Sequence, residues 1–331
     1  MPLSTSTGLS RSNSLTRRST LLGMGSAGAA LAASPAYSAA DMLGALRPNV
    51  NRVKLGGFEV TTILDGAVVL DGPFPIFGGN ASEAEVQALA AENKLPPKKL
   101  EIGFTPVVVN TGKELILFDT GNGAAARPGR GNLAAGLAAA GYKPEDVDIV
   151  VITHMHPDHI GGIMEGGTPA FPNATYVTSA AEYDFWSPED KLSGGTERVT
   201  KLVRGSLVPM VEKIRFIKPG DSVASGIEAL DASGHTPGQL AFHIESEGKR
   251  LVLIADVANH FVVALQRPDW HVRFDMDKEK AVATRKSILG MIAADDIPFT
   301  GYHMPFPAMG WLAPKGPGFE FIPATYQFAA G

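Results

Sequence analysis

The 331-residue sequence predicts a single mixed α/β domain with hairpin-rich sheets, running from residue 41 to residue 331. Three observations carry this expectation. Apolar, β-branched runs of strand length recur in both halves of the chain, interleaved with segments of helical period. Neither a polar linker nor a short-period repeat interrupts the sequence after residue 41. Hydrophobic residues make up 44% of the chain and charged residues 19%, enough apolar side chain for a sizeable core.

Residues 1–40 stand apart from that domain. The stretch "LTRRSTLLGMGSAGAALAASPAYSAA" places two arginines ahead of an apolar run and then small residues, the layout of a bacterial export signal. Arg17 and Arg18 point to the twin-arginine route, although Thr20 stands where such signals usually carry Phe. Cleavage is expected after Ser38 or Ala40, which places the mature protein in the periplasm or outside the cell. The apolar run of residues 21–33 is too short to span a bilayer, so stable membrane insertion is not expected.

The domain opens with "FEVTTILDGAVVLDG" (58–72), whose β-branched residues and glycine turns read as paired strands. "DGPFPIFGGNAS" (71–82) is a Pro/Gly loop carrying Phe74, Ile76 and Phe77, either a lid over a substrate or a loop packed on the body. Residues 83–93 read as a helix with Ser82 as N-cap. "TPVVVNTGKELILFDTG" (105–121) reads as a hairpin, and "GNLAAGLAAAGY" (131–142) as an Ala-rich helix closing at Gly141. "DIVVITHMHPDH" (148–159) is a buried strand running into a histidine cluster. Further strand-like runs fall at 174–178, 214–217, 227–230, 240–244 and 251–255, and helical patterns at 198–213 and 278–293.

Charge and composition exclude several functions. The formal net charge is −5, and the only charged residues before Asp41 are three arginines, so the body is more acidic still. An acidic body without a Lys/Arg run argues against nucleic acid as a partner and against docking on an anionic membrane. The absence of cysteine excludes disulfides, thiolate ligands and a cysteine nucleophile. No G-x-S-x-G elbow suggests a serine nucleophile either.

What remains is the string "THMHPDHIGG" (153–162). Three of the chain's eight histidines and an aspartate fall inside six residues. Side chains two apart on an extended segment point the same way, which pairs His154 with His156. Pro157 fixes the backbone before Asp158 and His159, and two glycines let the chain pass close by. Imidazoles and carboxylates without sulfur suit Zn²⁺, with Mn²⁺, Co²⁺ or Fe²⁺ as alternatives. Four residues cannot fill two metal shells, and further candidates follow strand-like segments downstream: His235 in "DASGHTPGQ", Asp256 in "RLVLIADV" and His303 in "FTGYHMPF". A buried carboxylate such as Asp256 is costly unless paired or metal-bound. His243, His260 and His271 match no ligand position, though His260 lies close enough to Asp256 to line a pocket.

The order "THMHPDH", "GHTPG", "ADV", "GYH" resembles the metallo-β-lactamase superfamily, and the resemblance spans residues 52–331. It implies a four-layered αβ/βα sandwich with a dinuclear metal site at the sheet edges. It implies that His154, His156 and His235 hold one ion and that Asp158, His159 and His303 hold the other. Asp256 would bridge both, and Asp119 in "FDTG" would orient the ligand loop from behind. Gln239 departs from the pattern, since many relatives carry His there. "AAGYKPEDVDIVVITHMHPDHIGG", "EYDFW" and "GPGFEFIPATY" further resemble the exported methyl parathion hydrolases and aryl-lactone hydrolases of that superfamily.

That resemblance implies a hydrolase in which a metal-bound hydroxide attacks an apolar lactone or aryl ester, with Asp256 and Asp158 holding the metals that generate it. Organophosphorus triesters would be its main or side substrates. The candidate pocket residues are Phe104, Phe185, Trp186, Phe261 and Phe306, whose rings suit an aryl group. Alternatives on the same scaffold are an acyl-homoserine lactonase, a hydrolytic dehalogenase, or a metal-binding protein without activity. A homodimer is expected from the resemblance alone.

Overall fold

The computed structural model describes residues 41, 42 and 46–325; the expected export segment, residues 1–40, lies outside them. From Arg47 onward the chain forms one compact unit. Its first half contributes β1 (Val50–Leu55), β2 (Phe58–Ile63), β3 (Gly66–Asp71), α1 (Glu83–Glu92), β4 (Lys99–Phe104), β5 (Val107–Asn110), β6 (Leu115–Phe118), α2 (Leu133–Ala139) and β7 (Ile149–Val151). There follow α3 (Pro157–Ile160), the short pair β8 (Met164–Glu165) and β9 (Thr168–Pro169), β10 (Thr175–Ser179), α4 (Ala180–Trp186), α5 (Glu197–Ser206) and β11 (Ile214–Ile217). The second half adds β12 (Ser222–Ala224), β13 (Ile227–Asp231), β14 (Leu240–Ser246), β15 (Lys249–Leu253), α6 (Val263–Gln266), α7 (Lys278–Ala294), β16 (Phe299–Thr300), β17 (Met309–Lys315) and β18 (Gly318–Pro323).

Among the described residues there are two large sheets, each of seven strands, ordered β1-β2-β5-β6-β7-β10-β11 and β12-β13-β14-β15-β16-β17-β18. Period-two alternation decides which layer each side chain joins. Val107, Val109, Ile116 and Phe118 of the first sheet share one buried cluster with Phe242, Ile244, Leu251 and Leu253 of the second. The residues between them face the other way. Val108, Leu115 and Leu117 pack under Leu133 and Leu137 of α2 and Val203 of α5. Ala241 and Val252 pack under Ile288, Leu289 and Ile292 of α7 and Val263 of α6. Three apolar interfaces separate four layers: helices, sheet, sheet, helices. Strands apolar on both faces explain why the sequence shows continuous apolar runs rather than alternation.

Local signals account for the helix ends. Ser82 Oγ accepts the Glu85 amide at 3.3 Å, while Glu85 Oε2 accepts the Ser82 amide at 2.9 Å, a reciprocal cap on α1. Asp277 caps α7 through the Lys280 amide at 3.0 Å.

One expectation is corrected and one choice between alternatives is decided. Residues 58–72 do form strands, but β2 and β3 do not pair with each other: β2 lies between β1 and β5, and β3 pairs with β4 in a separate two-stranded sheet. The 71–82 loop packs on the body, the second of its two readings: Ile76 and Phe77 are buried in one cluster with Leu89 of α1 and Ile288 of α7, and Phe74 is half-buried. Burying two large apolar side chains outweighs leaving them on a surface loop.

Candidate metal centre

Five strand ends deliver the site to one edge of the sandwich. Beyond β6 comes Asp119, and beyond β7 come His154 and His156. Beyond β13, β15 and β16 come His235, Asp256 and His303. Asp119 and Ala255 adopt φ of +61° and +45°, conformations that L-residues rarely take. Asp119 is held there by its carboxylate, which accepts the Thr153 amide at 2.9 Å and the Thr153 hydroxyl at 2.8 Å. Pro157 begins α3, a single helical turn that presents Asp158 and His159 after His156. A Cβ on Gly162 would lie 2.0 Å from the Thr120 carbonyl oxygen, so only glycine lets the loop after His159 pass the 119–122 turn.

The ligand atoms of His154, His156, His235 and Asp256 lie within 4.8 Å of one another, as do those of Asp158, His159 and His303. Asp256 reaches both groups: Oδ2 lies 3.3 Å from His235 Nε2 and 3.1 Å from His303 Nε2, and Oδ1 lies 3.3 Å from His159 Nε2. The carboxylate thus stands between the clusters. Asp158 Oδ2 lies 3.5 Å from His159 Nε2 and 3.6 Å from His303 Nε2.

Behind the cluster, four imidazoles are oriented by a bond on the far side of the ring. His159 Nδ1 meets Asp119 Oδ2 at 2.8 Å, His235 Nδ1 meets Asp275 Oδ1 at 2.8 Å, and His303 Nδ1 meets the Gly103 carbonyl at 2.8 Å. His154 Nδ1 lies 3.1 Å from Thr153 Oγ1, whose own proton goes to Asp119. Each acceptor puts the ring proton on Nδ1 and leaves an Nε2 lone pair facing the centre. His156 faces it through Nδ1, 2.9 Å from His235 Nε2 and 3.2 Å from His154 Nε2.

These residues fit a pair of divalent ions. His159 Nε2 and Asp256 Oδ1 are buried without a hydrogen bond, which is costly unless a cation satisfies them. The donors are five imidazole nitrogens and two carboxylates, a set that suits zinc or a similar ion. Burial, followed by neighbouring charge, holds His154 and His156 well below the usual imidazole range, so both are neutral as ligands must be. At His159, burial acts in the same direction, but Asp256, Asp119 and Asp158 outweigh it and push its pKa well above the usual range, the same negative field that would favour a cation at Nε2 in place of a proton. Asp256 stays ionised well below the usual range, because His303 and His159 outweigh its burial.

Asp275 and Arg285 lie in no motif, and Glu182 and Tyr302 stand inside "EYDFW" and "GYH" with no role read from the sequence. Asp275 also takes the Arg285 guanidinium at 2.7 Å, and both side chains are fully buried. Glu182, fully buried on α4, accepts the amides of Met155 and Gly238 at 2.9 Å each, tying the His154–His156 loop to the His235 loop. A Cβ on Gly238 would lie 2.3 Å from the Glu182 amide nitrogen, so that approach requires glycine. Tyr302 stacks on His159 at 3.9 Å and donates its hydroxyl to the Asp158 carbonyl at 2.6 Å. Gln239 touches no ligand; its amide donates to the Ala232 carbonyl at 3.2 Å.

A cavity of about 590 Å³ opens beside His303, lined by Phe261, Phe306, Met304, Leu100, Val69 and His260. Of the expected pocket aromatics, Phe261 and Phe306 are on its wall and the other three are not. Phe104 instead packs edge-on behind His303 at 5.5 Å. Trp186 is buried behind His156, its ring 6.2 Å away, because its indole N–H finds an acceptor in Glu182 at 2.8 Å. Phe185 packs on Trp186 at 4.8 Å and under the Lys191 ammonium.

A four-layered sandwich carrying a bridged histidine–carboxylate centre at its sheet edge defines a class of metal-binding proteins. Residues 105–292, over half the chain, match the model of the metallo-beta-lactamase superfamily, and the chain belongs to that superfamily. It is 28% identical to an N-acyl homoserine lactonase of Bacillus cereus over 124 residues, 38% of this chain and 43% of that enzyme. The chain thus spans less than half the length of this curated relative. Among solved structures it is similar to AidC, a dizinc quorum-quenching lactonase in complex with a product, with a TM-score of 0.78 and 29% identity over 84% of this chain and 98% of that one. It is also similar to the hydrolase AbOPH of the beta lactamase superfamily, with a TM-score of 0.77 and 26% identity over 85% and 99% of the two chains.

Proposed function

We propose that the protein is a dinuclear metal-dependent hydrolase of apolar lactones and aryl esters, with organophosphorus triesters as main or side substrates. The observation that carries this reading is the largely apolar cavity opening at His303, on the seven-residue centre. Two divalent ions held by these seven residues would supply Lewis-acid polarisation of a carbonyl or phosphoryl oxygen and would acidify a water toward neutral pH. The chain's own residues do the rest. Asp119, Asp275, Thr153 and the Gly103 carbonyl hold the ligand imidazoles in the tautomer that faces the centre. Phe261, Phe306 and Met304 exclude water from the apolar part of a substrate and hold it beside that centre.

The test is kcat/KM of the zinc-reconstituted chain on an aryl lactone and on a methyl phosphotriester, side by side. The lactone is expected to win by orders of magnitude. A faster phosphotriester would make the protein an organophosphorus hydrolase. Full activity in a His154→Ala, His156→Ala double variant would refute the mechanism. The likeness to AidC favours a second reading, in which the lactone is an N-acyl homoserine lactone. Elemental analysis is expected to find two zinc ions per chain. The arginine pair ahead of an apolar run supports export, and loss of periplasmic recovery in an Arg17→Lys, Arg18→Lys variant is the expected check.

A further inference from the structure

His260 is more than nine-tenths buried, yet it belongs to no ligand group. Its ring is packed between Phe77, edge-on at 5.6 Å, and Phe261, stacked at 4.8 Å. Its Nδ1 accepts the Val262 amide at 3.0 Å and the Val263 amide at 3.3 Å, at the start of α6. Backbone amides can only donate, so Nδ1 carries no proton and the neutral ring carries it on Nε2. Burial, with the nearby charge of His303, pushes the pKa down to about 3, so the ring stays neutral through the physiological range. The Nε2 atom has no hydrogen bond among the described residues and is not among the atoms sealed from solvent. His260 lines the same cavity as His303 and Phe261. The charged residues of the wall, Arg47, Lys99 and Glu101, are exposed and engaged in ion pairs, so the buried imidazole of His260 is the fixed donor that the lining offers beside His303 and Phe261.

We propose that His260 is a specificity-determining residue whose Nε2–H binds a carbonyl oxygen next to the scissile ester, selecting lactones that carry an acyl-amide over plain alkyl lactones. This rests on the hydrolase reading above. A neutral donor suits the task. It pairs with an amide oxygen of the substrate without attracting the carboxylate product as a cation would. A substrate lacking that oxygen leaves the donor unpaired against the Phe261 side of the cavity, which is the stronger form of discrimination.

Two variants separate binding from packing. His260→Asn retains an acceptor for the Val262 amide and removes the distal donor; His260→Phe retains the ring and removes both polar atoms. The readout is the ratio of kcat/KM on N-hexanoyl homoserine lactone to that on γ-decalactone, with zinc content measured on each protein. Both variants are expected to lower that ratio about 10-fold, mainly through KM on the amide-bearing lactone. An unchanged ratio, or an equal fall on both substrates, would overturn the proposal. Calorimetric binding of N-hexanoyl cyclopentylamide, which has the amide but no ester, isolates the contact from turnover. Weaker binding to both variants supports the contact even if wild type hydrolyses no lactone, an outcome that would sink the lactonase reading alone. Equal binding by wild type and variants, or none, overturns the contact.

Discussion

At the scale of single residues, the centre depends on what stands behind the histidines. A ligand imidazole with a free Nδ1 can rotate or carry its proton on the wrong nitrogen, and the anchors at Asp119 and Asp275 prevent both. Asp119→Asn is expected to weaken zinc binding by roughly 10- to 100-fold, read by competition with a chromogenic chelator. The same measurement on Asp275→Asn is expected to show a loss of similar size. Arg285→Met has a different consequence. It strands the Asp275 carboxylate, buried and without its guanidinium, and should cost about 3–5 kcal/mol in urea denaturation of the metal-free protein. A cost near zero would mean that water or a rearranged backbone replaces Arg285.

At the scale of elements, α4 couples two ligand loops that are far apart in sequence. Gly238→Ala would drive a methyl group into the backbone at Glu182 and should destabilise the fold by about 1–3 kcal/mol. Glu182 adds a pH dependence with a definite sign. Burial raises its pKa above the ordinary glutamate value, against the hydrogen bonds from Met155, Gly238 and Trp186 that lower it. The folded chain therefore keeps this proton to a higher pH than the unfolded chain does. Its contribution to stability is full below about pH 4.5, the ordinary glutamate range, and declines as pH rises through the raised value. In urea melts across that range, wild type should lose stability relative to Glu182→Gln as pH increases. The opposite slope would mean that the amides hold Glu182 as an anion.

At the scale of the whole molecule, the centre draws its ligands from both sheets, so an ion bound there ties the halves of the sandwich together. Ions that bind only the folded chain stabilise it by mass action, by about 4 kcal/mol for one site at a free concentration 1,000 times Kd. Chelation should lower the melting temperature and added zinc should restore it. The His154→Ala, His156→Ala variant should respond far less. A chelator that strips the metal without moving the melting temperature would show that the two sheets hold the site unaided. Among the described residues no helix is long and apolar enough to cross a membrane.

The sequence by itself determined most of what depends on short range. Continuous apolar runs became strands buried on both faces, and Ser82, Gly141 and Pro157 marked helix ends through backbone chemistry they carry locally. The cluster at 154–159 was legible because proline, histidine and aspartate at that spacing have few other uses, and the structure gathers His235, Asp256 and His303 around it. Only the tertiary structure decided which partners lie behind them. Asp275 is 40 residues from His235, and the Gly103 carbonyl is 200 residues from His303; neither carries a local signal, because any carboxylate or carbonyl can accept a hydrogen bond. The same holds for the aromatics. Phe261 and Trp186 are equally apolar as sequence, and one lines the cavity while the other is buried behind a ligand. Hydrophobicity says that a ring will be covered; the packing of four layers decides whether protein or substrate covers it.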